Sequence, residues 1–132
     1  MQAKDVMTTQ VVTIEPDASI VHAIRLMLQH KISGLPVVDA TGMLVGVVSE
    51  GDFLRRTSGD KPRLLELLVG EKVDFADHLV EEFMSRDPVT IAVDTPVEEI
   101  VALMNRHKVR RLPVAAQGKV VGIVSRANLI EA

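Results

Sequence analysis

The sequence predicts an α+β fold made of two copies of one β-α-β-β-α unit, packed as a pseudo-two-fold pair. Three observations lead to this fold class. The sequence repeats itself internally, each copy alternates β-branched runs with helical patterns, and one copy alone is too short to bury both faces of its own sheet. Two copies packed sheet to sheet would bury these faces and leave a cleft between the halves.

The internal repeat is the strongest of these observations. The matching segments follow one order at a constant spacing, apart from one deletion near Thr41. They are Val12-Thr13-Ile14 with Val89-Thr90-Ile91, His30-Lys31 with His107-Lys108, Leu35-Pro36-Val37 with Leu112-Pro113-Val114, Val45-Gly46 with Val121-Gly122, and Val48-Ser49 with Val124-Ser125. So many ordered matches indicate a duplication.

Copy one begins with a β-branched run over residues 11–14. A helix follows, and its apolar face is formed by Ile20, Ala23, Ile24 and Met27. Strands are predicted over residues 35–38 and 44–49, and Thr41-Gly42 makes the tight connection between them. A short helix near Asp52 closes the copy.

Copy two repeats this order, with a first strand over residues 89–91 and later strands over 112–114 and 120–125, joined at Gln117-Gly118. The helix has a clear start signal, because Thr95 is suited to cap it, Pro96 suits the first helical position and Glu98 completes a capping box. Its apolar face is formed by Val97, Ile100, Val101 and Met104. A short helix starting near Asn128 ends the copy.

The chain therefore divides into copy one (residues 1–57), an inter-copy insertion (58–81) and copy two (82–132). The insertion contains a leucine-rich stretch over 63–69, and residues 73–84 read as a helix leading into copy two. Two interpretations of the leucines stay open: they cap the core, or they contact another subunit. They are Leu64, Leu65, Leu67 and Leu68.

Composition and charge argue against several classes of protein. Aromatic residues make up 2% of the chain and the net charge is −3, whereas nucleic-acid binders usually carry a basic footprint and stacking aromatics. The absence of cysteine excludes a disulfide scaffold and a cysteine-based zinc site, and His22 and His78 show no metal-ligand spacing. No apolar run approaches the roughly 20 residues that span a bilayer. We expect a cytoplasmic protein without nucleic-acid, membrane or metal partners.

The repeated motifs resemble those of the CBS domain pair, also called a Bateman module. Three features in each copy carry the resemblance: Val6-Met7 leading to Val12-Thr13-Ile14 and Phe83-Met84 leading to Val89-Thr90-Ile91; Leu35-Pro36-Val37-Val38-Asp39 and Leu112-Pro113-Val114; Gly46-Val47-Val48-Ser49-Glu50-Gly51-Asp52 and Gly122-Ile123-Val124-Ser125-Arg126-Ala127-Asn128. The resemblance covers nearly all of the chain outside the insertion. The insertion itself resembles that of bacterial CBS proteins that also carry a BON domain.

The resemblance implies a regulatory module that binds an adenine nucleotide (AMP, ADP or ATP) at two sites in the cleft and relays a shape change to an effector protein. In similar proteins the Ser/Thr-x-x-Asp motif of one copy binds ribose and phosphate opposite strands of the other copy. The stronger site would then comprise Ser49, Asp52, Thr90, Val109, Arg110 and Arg111. The weaker site would comprise Thr13, Ile32, Ser33, Gly34, Ser125 and Asn128, with an asparagine in place of the aspartate and no basic pair.

Simpler interpretations of these residues stay open. Ser49 and Ser125 would also serve as helix N-caps, Asp52 as a surface residue at a helix start, and Arg110-Arg111 as a solvated pair. His30 and His107 each precede a lysine at a helix end, and we interpret both as structural.

Two other function classes compete with a nucleotide sensor. The sequence lacks a nucleophile elbow, a P-loop and an HExxH pattern, so we expect no catalytic residues and no cofactor. A purely structural dimerisation module is one alternative, and a module that binds NAD or S-adenosylmethionine is another. Similar modules meet through their helices, so a symmetric homodimer is expected.

Overall fold

The computed structural model describes residues 1–54 and 78–131. Their helices are α1 (Ala3–Val6), α2 (Ile20–His30), α3 (Glu50–Leu54), α4 (Val97–His107) and α5 (Arg126–Glu131), with a 3-10 turn at Val80–Glu82. Their strands are β1 (Gly34–Val38), β2 (Leu44–Ser49), β3 (Ser85–Arg86), β4 (Arg111–Ala116) and β5 (Lys119–Ser125). The mixed α+β class and the tandem repeat are confirmed.

The chain forms two compact units, and each takes its leading segment from the other copy's stretch of sequence. The copy-one unit comprises Val12–Thr41 and Val45–Pro88, and the copy-two unit comprises Met1–Val11, Gly42–Leu44 and Val89–Ala132. In the copy-two unit, Thr8 exchanges two backbone hydrogen bonds with Ile123, of 2.8 and 2.9 Å. The copy-one unit repeats this arrangement where β3 pairs antiparallel with β2.

The sheets follow the predicted strands closely. The copy-one unit has a three-stranded sheet in the order β1-β2-β3, and the copy-two unit has an antiparallel pair, β4-β5. The first predicted strand of each copy is reduced to one parallel bridge, Ile14 with Val37 and Ile91 with Val114. At the β4-β5 hairpin, Gln117 and Gly118 both have positive φ, as a two-residue turn of type I′ requires.

Each unit has its own aliphatic core. In the copy-one unit the predicted face of α2 is buried in full, against β1, β2 and an edge-to-face pair formed by Phe53 and Phe83 with ring centroids 5.8 Å apart. In the copy-two unit, Ile100 and Met104 of α4 pack on β4 and β5. Val101 was expected on this buried face, but it lies beside the stripe formed by Ile100 and Met104 and is 42% exposed.

Two glycines allow the exchanged leading segments to lie against the sheets. A Cβ added to Gly122 would lie 2.5 Å from the sulfur of Met7, and one added to Gly46 would lie 2.8 Å from both the sulfur of Met84 and the carbonyl oxygen of Ser85. The Met7 contact is with a flexible side chain. The Ser85 contact is with a backbone that the β2-β3 pairing holds in place.

Replacing Gly46 with alanine is therefore expected to destabilise the protein. Because a backbone atom blocks the new methyl group, we expect a loss of about 2–3 kcal/mol, at the upper end for overpacking. The matched control is Gly42→Ala, where φ is +86° but no atom lies within 4 Å of the added Cβ. Gly42→Ala should cost only about 1 kcal/mol of backbone strain. Equal unfolding free energies for the two variants in urea would contradict this account.

The long helices end in the same way in both copies. His30 and His107 are the last helical residues, and the lysines that follow, Lys31 and Lys108, adopt the left-handed conformation at φ 55° and ψ 44°. This conformation ends a helix without strain only for glycine. The predicted helix ends at His30 and His107 are confirmed, and the structural role of the two histidines stays an interpretation.

Lys31→Gly is expected to stabilise the chain by about 0.5–1 kcal/mol, because it removes the left-handed strain and restores the preferred C-cap residue. Thermal unfolding checks this. Lys31→Ala, which removes the charge and keeps the strain, is the control. A lower Tm for Lys31→Gly than for Lys31→Ala would show that the strain is absent.

Two predictions about local structure are wrong. Thr95 does not cap α4: the helix begins at Val97 after Pro96, whose ψ of 146° is extended, and the Thr95 hydroxyl accepts a hydrogen bond from the backbone N–H of Ala92 instead. The predicted helix over 73–84 is not helical from residue 78 onward, because Leu79 bridges Ser19 and the next residues form a 3-10 turn and β3. The rest of that prediction, the leucine-rich stretch and most of the insertion lie outside the described residues.

Candidate functional site

The Ser-x-x-Asp motif of copy one joins β2 to α3. Ser49 is the last residue of β2, and Asp52 lies in the first turn of α3. The Asp52 carboxylate accepts hydrogen bonds from the Ser49 backbone N–H at 2.7 Å and from the Ser49 hydroxyl at 3.2 Å. Asp52 is 8% exposed, so the expectation of a surface residue is wrong: the side chain turns back onto the strand to cap the helix.

Copy two builds the same turn with an amide. The Asn128 side-chain oxygen accepts from the Ser125 backbone N–H at 2.8 Å and from its hydroxyl at 2.9 Å, and the Asn128 backbone N–H donates to the Ser125 hydroxyl at 3.3 Å. The asparagine also donates its NH₂ to the hydroxyl of Thr8 at 3.3 Å, which a carboxylate is unable to do. The bond from the Asn128 N–H to the Ser125 hydroxyl confirms the helix-cap interpretation of Ser125, and that of Ser49 stays a prediction. Both short helices start two residues earlier than predicted, at Glu50 and Arg126.

One backbone hydrogen bond recurs in both units and joins the start of a strand to the start of a short helix. The N–H of Glu50 donates to the carbonyl of Ser33 at 2.8 Å, and the N–H of Arg126 donates to the carbonyl of Arg110 at 3.0 Å. We call the residues around this bond the polar edge of each unit. In copy one they are Ser33, Gly34, Ser49, Glu50 and Asp52, and in copy two they are Arg110, Arg111, Ser125, Arg126 and Asn128.

The two predicted arginines have different environments. Arg110 is exposed, whereas Arg111 is half-buried at the start of β4, opposite Ser125 in the strand register. Burial lowers the pKa of the Arg111 guanidinium, and the neighbouring charge of Arg110 lowers that pKa further. The interpretation as a solvated pair therefore fits Arg110 but not Arg111.

The predicted site residues are divided between the units. Thr13, Ile32, Ser33, Gly34, Ser49 and Asp52 lie in the copy-one unit, and Thr90, Val109, Arg110, Arg111, Ser125 and Asn128 lie in the copy-two unit. Contacts within a unit bring the Ser33 segment to Ser49 and the Arg110 segment to Ser125. The grouping of Asp52 with the two arginines joins residues of different units and stays a prediction.

Sequence reasoning missed three polar-edge neighbours: Glu50, Arg126 and Thr8. Glu50 and Arg126 are repeat counterparts of opposite charge within the Ser-x-x-Asp/Asn motifs, and aligning the copies position by position would have shown this. Thr8 gave no signal, because its contact with Asn128 depends on the exchange of leading segments.

The described residues offer neither a metal cluster nor a membrane-spanning helix. Within residues 1–54 and 78–131, no group of three or more His, Cys, Asp or Glu side chains is placed to hold a metal ion. In the same part of the chain, no helix has the length and apolar character needed to cross a bilayer.

Known proteins share this arrangement. The CBS domain family matches residues 3–59 and 80–132. The CBS domain-containing protein YhcV of Bacillus subtilis is 34% identical over 131 residues, which cover 96% of this chain and 81% of YhcV. The crystal structure of CBSX2 in complex with AMP is 30% identical, has a TM-score of 0.78, and covers 98% of this chain and 93% of that one. The CBS domain pair of protein MJ0100, in complex with 5′-methylthioadenosine and S-adenosyl-L-methionine, is 26% identical with a TM-score of 0.77, covering 99% of this chain and 94% of that one.

Proposed function

We propose a function from the premise that this chain belongs to the CBS domain family. It is a regulatory module that binds an adenine nucleotide (AMP, ADP or ATP) and relays a conformational change to an effector protein. The observation that carries the proposal is the duplicated polar edge, in which a Ser-x-x-Asp or Ser-x-x-Asn turn is bonded to the start of a strand in each unit. The complex of CBSX2 with AMP supports the choice of ligand.

The polar edges have the chemistry that a nucleotide requires. A carboxylate only accepts hydrogen bonds, which suits the two hydroxyls of a ribose diol, and we therefore propose that Asp52 binds the ribose. Arginine is suited to phosphate because its planar guanidinium donates two parallel hydrogen bonds. We therefore propose that Arg110 and Arg111 bind the phosphates. Backbone groups and aliphatic side chains from the segments of Thr13, Ile32, Thr90 and Val109 would hold the adenine.

We propose no catalytic role for the chain. Three relatives that are enzymes match it over only 14%, 22% and 23% of their own length, so the shared part is a small portion of each enzyme. In the sequence, the absence of cysteine and the scattered histidines leave few groups for a hydrolytic site.

A second ligand class has a specific observation in its favour, because the MJ0100 pair binds S-adenosyl-L-methionine and 5′-methylthioadenosine. Mass spectrometry of the small molecules released from the purified, heat-denatured protein separates the candidates. We expect AMP, ADP or ATP at a stoichiometric level. Release of S-adenosylmethionine or NAD without any AMP, ADP or ATP would replace the proposed ligand. A protein that carries no ligand and does not bind added nucleotide would favour a structural dimerisation module.

We further propose a cytoplasmic homodimer. Apolar side chains on three helices remain exposed in the single chain and are available for a symmetric interface: Leu28 at 36%, Val101 at 42% and Ile130 at 83%. Light scattering at micromolar concentration should give twice the 14.4 kDa of one chain. A monomeric mass would contradict the dimer, and Val101→Glu should shift a dimer toward monomer.

A further inference from the structure

The two polar edges share a backbone and differ in charge. The strand-to-helix hydrogen bond is the same in both, as is the side-chain bond that caps each short helix at 2.7 or 2.8 Å. The side chains at four equivalent positions are, in copy two, Arg110, Arg111, Arg126 and Asn128, and in copy one, Ser33, Gly34, Glu50 and Asp52. The formal side-chain charge is therefore +3 at one edge and −2 at the other.

Within each unit, the backbones of these charged residues lie close together. The carbonyl of Arg110 is bonded to the N–H of Arg126, so the backbones of these two arginines are in direct contact, and Arg111 follows in the strand. In copy one, Glu50 and Asp52 share the first turn of α3, and Asp52 is buried. The equivalent positions thus carry positive formal charge in copy two and negative formal charge in copy one.

Resting on the proposed function, we infer that the two sites take different nucleosides: the copy-two edge binds a polyphosphorylated adenine nucleotide, and the copy-one edge binds an uncharged or cationic one. In this inference each site is formed by residues of one copy, so the arginines share a site with Asn128 and not with Asp52. A sensor built in this way responds to two ligands of different charge instead of to two molecules of one ligand.

Electrostatics supports this division of ligands. Phosphate placed between guanidiniums gains charge-assisted, bidentate hydrogen bonds. It also relieves the repulsion and desolvation that lower the pKa of Arg111 beside Arg110. The same phosphate placed beside Glu50 and the buried Asp52 would meet like charges at short range, where the low local dielectric strengthens repulsion. A ribose diol carries no charge, so it suits either edge.

The repeat supplies matched variants, because each residue can be replaced by its counterpart in the other copy. Arg110→Ser/Arg126→Glu gives copy two the side chains of copy one, and Ser33→Arg/Glu50→Arg does the reverse. Arg110, Arg126 and Ser33 are exposed and Glu50 is half-buried, so the changes should leave folding intact, which circular dichroism confirms before titration. The ligands are ATP, adenosine and inorganic triphosphate, each titrated by calorimetry at two salt concentrations.

We expect Arg110→Ser/Arg126→Glu to lower the affinity for ATP and for inorganic triphosphate by roughly 30- to 100-fold, about tenfold or less per arginine. The affinity for adenosine should fall by less than threefold. Ser33→Arg/Glu50→Arg should create or strengthen a second ATP-binding event by roughly tenfold. Higher salt should lower the affinity for ATP and leave the affinity for adenosine unchanged.

The outcomes separate this inference from the function on which it rests. If neither double variant changes the affinity for ATP or for adenosine, the division of ligands is overturned. Adenine-nucleotide binding itself would still stand. Triphosphate binding that follows the arginines, without any binding of adenosine, would support an anion-selective edge and overturn the adenine ligand. Absence of binding for all three ligands would overturn both.

Discussion

Replacing Arg111 with alanine is expected to weaken the binding of AMP or ATP by roughly 10- to 100-fold and to leave adenosine nearly unchanged. A hydrogen bond between a guanidinium and a phosphate contributes about 1.5–3 kcal/mol, which corresponds to this range. Arg111 should matter more than Arg110, because it is half-buried and its charge is less solvated. Calorimetric titration of the Arg111→Ala variant with the three ligands measures the effect.

Equal weakening of adenosine and AMP would show that Arg111 supports the fold and not the phosphate. A double-mutant cycle with Asp52→Asn then tests how the site residues are grouped. If one ligand molecule contacts both Asp52 and Arg111, as the motifs first predict, the two losses should be coupled by more than about 0.5 kcal/mol. The within-copy grouping predicts losses that add.

Replacing Asp52 with alanine is expected to lower the free energy of unfolding by about 2 kcal/mol. The carboxylate accepts from the Ser49 N–H and hydroxyl in a buried position, and hydrogen bonds to a charged group contribute about 1.5–3 kcal/mol. This loss exceeds the contribution of under about 1 kcal/mol that a surface aspartate at a helix start would make. Adenosine binding should also fall roughly thirtyfold, which is about 2 kcal/mol, through the lost ribose acceptor.

Asp52→Asn is the matched control, because Asn128 shows that an amide oxygen caps the equivalent turn at 2.8 Å. We expect this variant to keep most of the stability, within about 1 kcal/mol of the parent, while losing the charge. Urea unfolding of both variants separates the capping role from the ligand role. An alanine variant as stable as the asparagine variant would show that the capping hydrogen bonds contribute little.

Much of the fold follows from local pattern and repetition. The faces of the long helices and the paired strands rest on periodicity, and both copies carry the same signals, so each assignment was supported twice. The hairpin turn at Gln117-Gly118 was readable because a positive φ favours glycine. The neighbouring lysines predict the helix ends at His30 and His107. The left-handed conformation of those lysines could not be predicted from the sequence.

The remaining features depend on contacts between distant parts of the chain. The leading segment of each copy pairs with a strand of the other copy, which no local pattern encodes. The only repeat signal is that Met7 and Met84 lie against glycines at repeat-equivalent positions. Leu79 leaves the predicted helix because it bridges Ser19. The same reason explains why Asp52 was expected on the surface, since its burial depends on tertiary packing that the motif does not specify.

Titration calorimetry on the purified chain, first freed of copurified small molecules, tests adenine-nucleotide binding most directly. The account predicts saturable binding of at least one of AMP, ADP and ATP with a Kd in the micromolar range or tighter, about −8 kcal/mol. It also predicts that Arg111→Ala weakens this binding by roughly 10- to 100-fold while the protein stays folded. A folded parent protein that gives no saturable heat with any of the three nucleotides at millimolar concentration would contradict the account.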